Sequence, residues 1–211
     1  SLIDLRKFGV GKHNKVDDYP VARRTGMLLR SDVILNALYS LEDFEQYRII
    51  CTCPKGKVFN QALANEFKNE KKGIVIIPGY YKGVDQRIFD CVNIERISIG
   101  NFILNSGEVA GLTILDSVVR LLPNVLGNMD CIESDSIEST WLEPAQYTKP
   151  DKVRGIEVPS FLKSGDHEFI KRFQLNESIR STLFNRPDLI AGTLFTQDEQ
   201  KNITESIQSI L

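Results

Sequence analysis

Gly73-Ile74-Val75-Ile76-Ile77-Pro78-Gly79-Tyr80-Tyr81-Lys82-Gly83 joins an unbroken apolar run to a loop of glycine, proline and tyrosine. A half-exposed strand alternates apolar and polar residues, whereas a run this continuous belongs to a strand buried on both faces, as in a parallel sheet. Upstream, residues 47–51 read as a second strand that ends at Cys53-Pro54-Lys55-Gly56, a predicted turn; downstream, residues 94–99 read as a third. Helical spacing fills the intervals. Ser31 is placed to cap a helix through Val33, Ile34, Ala37, Leu38 and Leu41, and Asn60 opens one over residues 61–69. A short helix is expected over residues 85–91, and Val109, Leu112, Leu115, Val118, Val119 and Leu122 recur at helical intervals from near Glu108 until Pro123. Strands alternating with helices predict an α/β fold with a parallel sheet.

In such a sheet ligands sit beyond the carboxyl ends of the strands, so the loops after Cys51, Ile77 and Ile99 are predicted to converge on one site. The last is Ile97-Ser98-Ile99-Gly100-Asn101-Phe102-Ile103-Leu104-Asn105-Ser106-Gly107, neither a clean strand nor a clean helix, which suits backbone turned toward a ligand. No Gly-x-Gly-x-x-Gly follows the first strand, and no phosphate loop ending in Gly-Lys-Ser/Thr is present. A nicotinamide or nucleoside-triphosphate enzyme is therefore disfavoured.

The chain has 211 residues, 42% of them hydrophobic, sufficient for a sizeable core. No apolar run approaches the length of a membrane span and the N-terminus has no signal pattern, so no membrane partner and a cytoplasmic location are expected. Cys51, Cys53, Cys91 and Cys131 lack metal-ligand spacing and read as reduced structural residues. The net charge of -2 argues against non-specific nucleic-acid binding, but it is unevenly spread. Residues 149–186 hold eight Lys or Arg against five Asp or Glu, while residues 123–147 hold five acids and no base. Residues 126–142 read as an acidic linker between an α/β domain over residues 1–125 and a smaller helical domain over residues 143–211. Within the latter, residues 168–184 and 196–211 are predicted helices. Residues 2–5 read as a short strand and residues 12–25 as a charged loop.

Taken together, the loops carry a pattern. Val16-Asp17-Asp18-Tyr19-Pro20, Gly79-Tyr80-Tyr81-Lys82-Gly83-Val84-Asp85-Gln86-Arg87, Ser98-Ile99-Gly100-Asn101-Phe102-Ile103-Leu104, Gly107-Glu108, Asp116-Ser117-Val118-Val119-Arg120, Pro144-Ala145-Gln146-Tyr147-Thr148-Lys149-Pro150, Ser164-Gly165-Asp166-His167 and Arg186-Pro187-Asp188-Leu189 resemble, in order, the motifs of the bacterial tRNA (guanine-N1)-methyltransferases. The resemblance covers nearly the whole chain. It implies an α/β domain whose sheet ends in a C-terminal trefoil knot, the SPOUT class, an exception to unknotted topology. It implies a homodimer with composite active sites, S-adenosylmethionine as cofactor, and the tRNA anticodon stem-loop as partner. Mg2+ is implied by the resemblance alone, since no metal-ligand cluster is visible.

On that carry-over Pro54, Gly79, Tyr81, Ser98, Ile99, Gly100, Asn101, Phe102, Ile103 and Leu104 line the cofactor pocket, and Ser106 and Gly107 close it. N1 of guanine bears a proton and is a poor nucleophile while neutral, so methylation needs a base at N1 and a cation or donor at O6. By similarity Asp135 is the base and Arg120 serves O6; read alone, the two are a solvated carboxylate and a surface ion-pair arginine. Lys82, Lys149, Arg154, His167 and Arg186 are the candidate substrate contacts, with Lys152, Lys163, Lys171 and Arg172 as further phosphate partners. The chain departs from the family at Ala22-Arg23-Arg24, where glycines are usual, at Tyr80 and Lys82 (usually Arg and Glu), and at Asn101, Ser106 and Lys149 (usually Asp, Gly and Arg). Two other readings fit these departures: a catalytically weak relative that still grips cofactor or RNA, and a knotted methyltransferase acting on another RNA base.

Overall fold

The computed structural model describes residues 1–21, 25–71, 73–125 and 140–208. They fall into two compact units, Ser1–Leu126 and Gly127–Leu211. In the first, β3 (Arg48–Val58) lies between β4 (Ile74–Ile77) and β5 (Glu95–Ser98), parallel to both. Ile49, Ile50 and Cys51 of β3 are buried, as the unbroken apolar run requires of a central strand. Both faces of the sheet are covered. On one, Ile49, Cys51 and Ile77 share a core with Ile34 and Leu38 of α1 (Ser31–Tyr39) and Ile88 of α3 (Arg87–Cys91). On β4 the next residue in, Ile76, meets α4 (Gly107–Val119): a Cβ built on Gly111 would stand 3.3 Å from its Cγ2. Helix α2 (Gln61–Lys68) packs on α4 and buries Leu63, Ala64 and Phe67. The Asn60 side chain accepts from the Leu63 N–H at 3.0 Å, so the predicted cap is made.

Several local expectations are corrected. Residues 2–5 are not a strand: the Asp4 carboxylate accepts from the Arg6 N–H at 3.0 Å and nucleates a 3-10 turn, Leu5–Phe8. Ser31 begins α1 rather than capping it, since Arg30 holds the extended cap position. The charged loop contains β1 (Asp17–Asp18), which pairs antiparallel with β2 (Leu28–Leu29). At residues 53–56 no turn ends β3; the strand continues, and its pairing with β5 slips between Thr52 and Lys57. Pro54 has no N–H for the ladder, so the four residues bulge outward while pairing resumes beyond them.

The second unit carries a hairpin of β6 (Lys152–Val153) and β7 (Ile156–Glu157), with Arg154 and Gly155 both at positive φ (50° and 88°), the conformation of a tight two-residue turn. Two residues per strand are too few to signal in sequence. Helix α5 (His167–Asn185) is capped by Asp166, which accepts from the Phe169 N–H at 3.0 Å, and α6 (Gln197–Gln208) packs on it. The Ser206 hydroxyl donates to the Asn176 side-chain oxygen at 3.0 Å across that contact, and Trp141 stacks on Phe195 with ring centroids 5.5 Å apart.

Arg48 anchors the amino end of the sheet. Its guanidinium donates twice to Glu95 at 2.6 and 2.9 Å, reaches Glu66 at 2.7 Å, and lies 4.5 Å over the Phe67 ring. Three elements are thereby fastened by a side chain only 16% exposed. Arg48→Ala should lower the unfolding free energy by about 2 kcal/mol, the scale for a lost charge-assisted hydrogen bond in a partly solvated site. Urea denaturation measures it, and an unchanged midpoint would show the cluster to be surface decoration.

Candidate functional site

The carboxyl ends of the three strands open onto a cleft of about 490 Å³, built from the bulge of β3, residues 79–84 after β4 and residues 99–107 after β5. Its floor is held by Thr52, buried at the end of the β3 apolar run. The Thr52 hydroxyl accepts from the Gly79 N–H at 2.9 Å and donates to the Gly107 carbonyl at 3.3 Å, and the Gly107 N–H donates to the Gly79 carbonyl at 2.7 Å. The backbones meet so closely that a Cβ on Gly107 would fall 2.4 Å from both the Gly79 carbonyl oxygen and Thr52 Oγ1. Glycine here serves close approach, since neither Gly79 nor Gly107 has a positive φ.

The loop after β4 is strapped to β2: Lys82 N–H donates to the Met27 carbonyl, Leu29 N–H to Gly83, and Asp85 N–H to Leu29, each at 3.0 Å. Tyr81 takes a left-handed φ of 55° and meets Tyr80 edge to face at 4.3 Å. Desolvation, then the Asp17 carboxylate, holds the Tyr81 phenol above the ordinary tyrosine range. After β5, the Ser98 hydroxyl donates to the Gly100 carbonyl at 3.1 Å and accepts from its N–H at 3.3 Å, pinching the turn. Gly100, at φ 148°, stands where a Cβ would strike the Phe102 ring at 2.5 Å. On the opposite wall the Arg96 guanidinium lies 3.7 Å over the Phe89 ring and donates to the Gln86 side chain at 2.9 Å. Burial pushes the Cys51 thiol up to about 12, with Cys53 adding and Arg96 opposing.

Of the residues expected around the cofactor, Pro54, Gly79, Tyr81, Ser98, Ile99, Gly100, Phe102, Ile103, Leu104, Ser106 and Gly107 line this one cleft; Asn101 does not, standing exposed on its loop. Lys82 lines it too. Sequence reasoning missed Thr52, Phe89 and Arg96. Thr52 followed an apolar run and preceded a predicted turn, a position that could have flagged it; nothing in the sequence marked the other two.

Arg120 is not in the lining. It caps the far end of α4, whose 13 residues span about 20 Å from Gly107. Asp135 lies outside the described residues, as do Arg23 and Arg24. Lys149, Arg154, His167 and Arg186 belong to the second unit. There Arg186 donates to Asp188 at 2.9 and 2.7 Å, and Lys152, Lys163 and Arg172 pair with Glu157, Asp151 and Glu205. Among the described residues, Lys149, Arg154 and Lys171 make no ion pair. Among those residues also, no three His, Cys, Asp or Glu side chains cluster as a metal would need, and no helix is long and apolar enough to cross a membrane.

A glycine-tied cleft at the carboxyl edge of a parallel sheet defines a small-molecule binding protein of the α/β class. The family profile described as tRNA (Guanine-1)-methyltransferase TrmD matches residues 1–192. A Listeria monocytogenes protein named tRNA (guanine-N(1)-)-methyltransferase is 41% identical over 203 residues, 95% of this chain and 82% of that one. Proteins of the same name from Pediococcus pentosaceus and Staphylococcus carnosus are 40% and 38% identical, covering 97% and 95% of this chain and 84% and 82% of theirs. The chain belongs to the tRNA (guanine-N1)-methyltransferase family.

Thr52→Val keeps the shape but leaves the Gly79 N–H and Gly107 carbonyl without their partner, which should cost about 1–3 kcal/mol and loosen the cleft, while Thr52→Ser should restore most of the loss. Thermal unfolding of the two variants measures this, and equal melting points would show the tie to be dispensable. The thiols offer a second check. Because Cys51 remains a thiol until the pH nears 12 whereas Cys91 is exposed, alkylation mapped by mass spectrometry at pH 9 should label Cys91 and spare Cys51. Equal labelling would contradict the burial.

Proposed function

We propose that this chain transfers a methyl group from S-adenosylmethionine to N1 of the guanosine 3′ of the tRNA anticodon. The observation that carries this reading is the convergence of the family's cofactor loops on a single cleft in a chain matched over residues 1–192. Its volume lies within the usual range of small-ligand sites, and its lining mixes apolar Ile97, Phe102, Ile103 and Leu104 with backbone amides and carbonyls. That composition fits an adenosyl group and an amino-acid tail. The donor supplies a methyl made electrophilic by a sulfonium. Residues 79–83 and 99–107 would hold and orient it, shielded from water by the loop side chains. N1 gives up its proton as its new bond forms, so a carboxylate must accept it; Asp135 takes this role on the strength of the resemblance. Arg120 would meet the charge growing on O6. No residue among the described ones is assigned to Mg2+.

The same reading makes the chain a cytoplasmic homodimer with shared sites and gives its loops the trefoil crossing of the SPOUT class. Supporting the first is the reach of α4: one end lies in the cleft and the other carries Arg120, too far for both to serve one reacting centre within a chain. Val109, Leu112 and Leu115 of that helix are also 54, 62 and 47% exposed, an apolar stripe suited to a partner. Supporting the second is the three-way contact of Thr52, Gly79 and Gly107. The second unit, with Lys149, Arg154 and His167, would hold the anticodon stem-loop by its phosphates, Arg186 first releasing Asp188.

The test is methyl transfer from labelled S-adenosylmethionine to unmodified tRNA, compared with tRNA carrying another base at the target. Label on both, or on neither, would overturn the assignment. For the shared site, Gly100→Val and Asp135→Asn are expected to be inactive alone. Refolded together they should recover about a quarter of the wild-type rate, since half the dimers are mixed and each mixed dimer has one intact site. No recovery with mixed dimers confirmed would place each site within one chain.

A further inference from the structure

Lys55, Lys82 and Arg96 line the cleft, and among the described residues no carboxylate does. The carboxylates nearby are otherwise placed: Asp17 acts on the Tyr81 phenol, Asp85 is bonded to Arg87, and Glu108 of the first turn of α4 is outside the lining. Among the described residues none of the three cations forms an ion pair. Other contacts hold them in place. Arg96 lies over the Phe89 ring and gives one N–H to Gln86, which leaves the rest of its fork for a ligand. The Lys82 stem crosses Gly26 so closely that a Cβ there would fall 2.5 Å from Lys82 Cγ, and the Lys82 N–H is tied to Met27. Lys55 precedes Gly56, whose backbone lies against the Arg96 carbonyl with no room for a Cβ, so the bulge brings Lys55 and Arg96 side by side.

The methyl donor uses few of these charges. S-adenosylmethionine has a single carboxylate, so one cation suffices for it and two remain. Cations gathered in a cleft repel one another unless a ligand brings anions. The other reactant brings them, since a guanosine within an RNA strand has a phosphodiester on each side, each with one negative charge. We propose that Lys55, Lys82 and Arg96 form a phosphate-holding subsite within the cleft, which grips the target nucleotide by the phosphodiesters on its two sides. The inference rests on the reading given above and deepens it. A guanidinium fixed in its plane is set to meet two phosphate oxygens at once, and the ammonium groups act as point charges. Phe102 and the edge-to-face pair Tyr80 and Tyr81, exposed in the same lining, offer ring faces to the bases. Glu is usual in the family at position 82 and would repel a phosphate, so the grip belongs to this chain and not to the family as a whole. Its consequence is for substrate choice. Phosphate contacts position a nucleotide without reading its sequence or its surroundings, so the cleft should take a guanosine in a short single strand that lacks a tRNA body.

The test compares a short single-stranded RNA centred on guanosine with the same strand in which the two linkages flanking that guanosine are neutral methylphosphonates. Binding is read by fluorescence anisotropy on the full chain, with saturating S-adenosylhomocysteine in the place of the donor. The wild type should hold the natural strand about tenfold more tightly, the scale of two partly exposed ion pairs. Its affinity for that strand should also fall more steeply with salt, by about 1.4 in logarithmic slope, from about 0.7 for each phosphate of a single strand. The Lys55→Gln/Lys82→Gln/Arg96→Gln variant should bind both strands alike. Equal binding by the wild type, or a preference that persists in the variant, would overturn the proposal while leaving the cofactor reading intact. Absence of S-adenosylhomocysteine binding in calorimetry would overturn the cofactor reading and this proposal with it. Should the variant not fold, lysine acetylation of the wild type decides: the natural strand should shield Lys55 and Lys82 more than the neutral strand does, and equal reactivity with both would overturn the grip.

Discussion

The hydroxyl of Thr52 sits where three chain segments must meet without side chains between them. Gly79 and Gly107 can approach it only because neither carries a Cβ, and the Gly107 N–H closes the contact on the Gly79 carbonyl at 2.7 Å. Buried backbone groups need partners, and strand ends leave them orphaned. Here the orphans of one loop satisfy another, with a single side-chain hydroxyl completing the set. The cleft walls are then positioned by hydrogen bonds in the floor rather than by packing of the walls themselves, which leaves Phe102, Ile103 and Leu104 exposed at its edge. Binding surfaces of this kind are made by loops on a rigid base.

That base is rigid because the opposite end of the sheet is fastened separately. Arg48 gathers Glu66 and Phe67 of α2 and Glu95 of β5 at the amino edge, while Thr52 gathers the loops at the carboxyl edge, and the buried run Ile49 to Cys51 joins the two. The bulge that follows is a third device. A Cβ at Gly56 would lie 2.3 Å from the Arg96 carbonyl carbon, so β3 returns to β5 only because that position is bare. Pro54 and Lys55 are thereby turned outward into the cleft.

The sheet was legible in the sequence because burial on both faces writes itself as continuous apolar runs, and the site because ligand loops must follow those runs. What escaped detection was local. The 3-10 turn at Leu5 depends on one Asp4 hydrogen bond, and the slip of β3 past β5 depends on pairing with a strand some 40 residues away, neither of which periodicity encodes. Asn101 was assigned to the pocket by its place in the motif, yet neighbours in a turn point to different sides, and it faces out. Arg96 was invisible because its importance comes from Phe89 and Gln86, which reach it only through the fold. The excess of bases over residues 149–186 counted charges without their partners; five of those cations are paired with nearby acids.

Tyr81 carries one consequence further. A tyrosine at φ 55° sits about 1 kcal/mol above its relaxed backbone state, and it is kept there by the hydrogen bonds of the loop to Met27 and Leu29 together with the contacts of its ring with Tyr80 and of its phenol with Asp17. Asp17 belongs to β1, a two-residue strand in a charged segment remote from the cleft in sequence. Replacements there would leave every wall residue unaltered and still tilt the aromatic wall, by letting the loop relax. Natural drift in an unremarkable N-terminal stretch can thus adjust ligand preference at a distance, so that two relatives with identical linings need not bind alike.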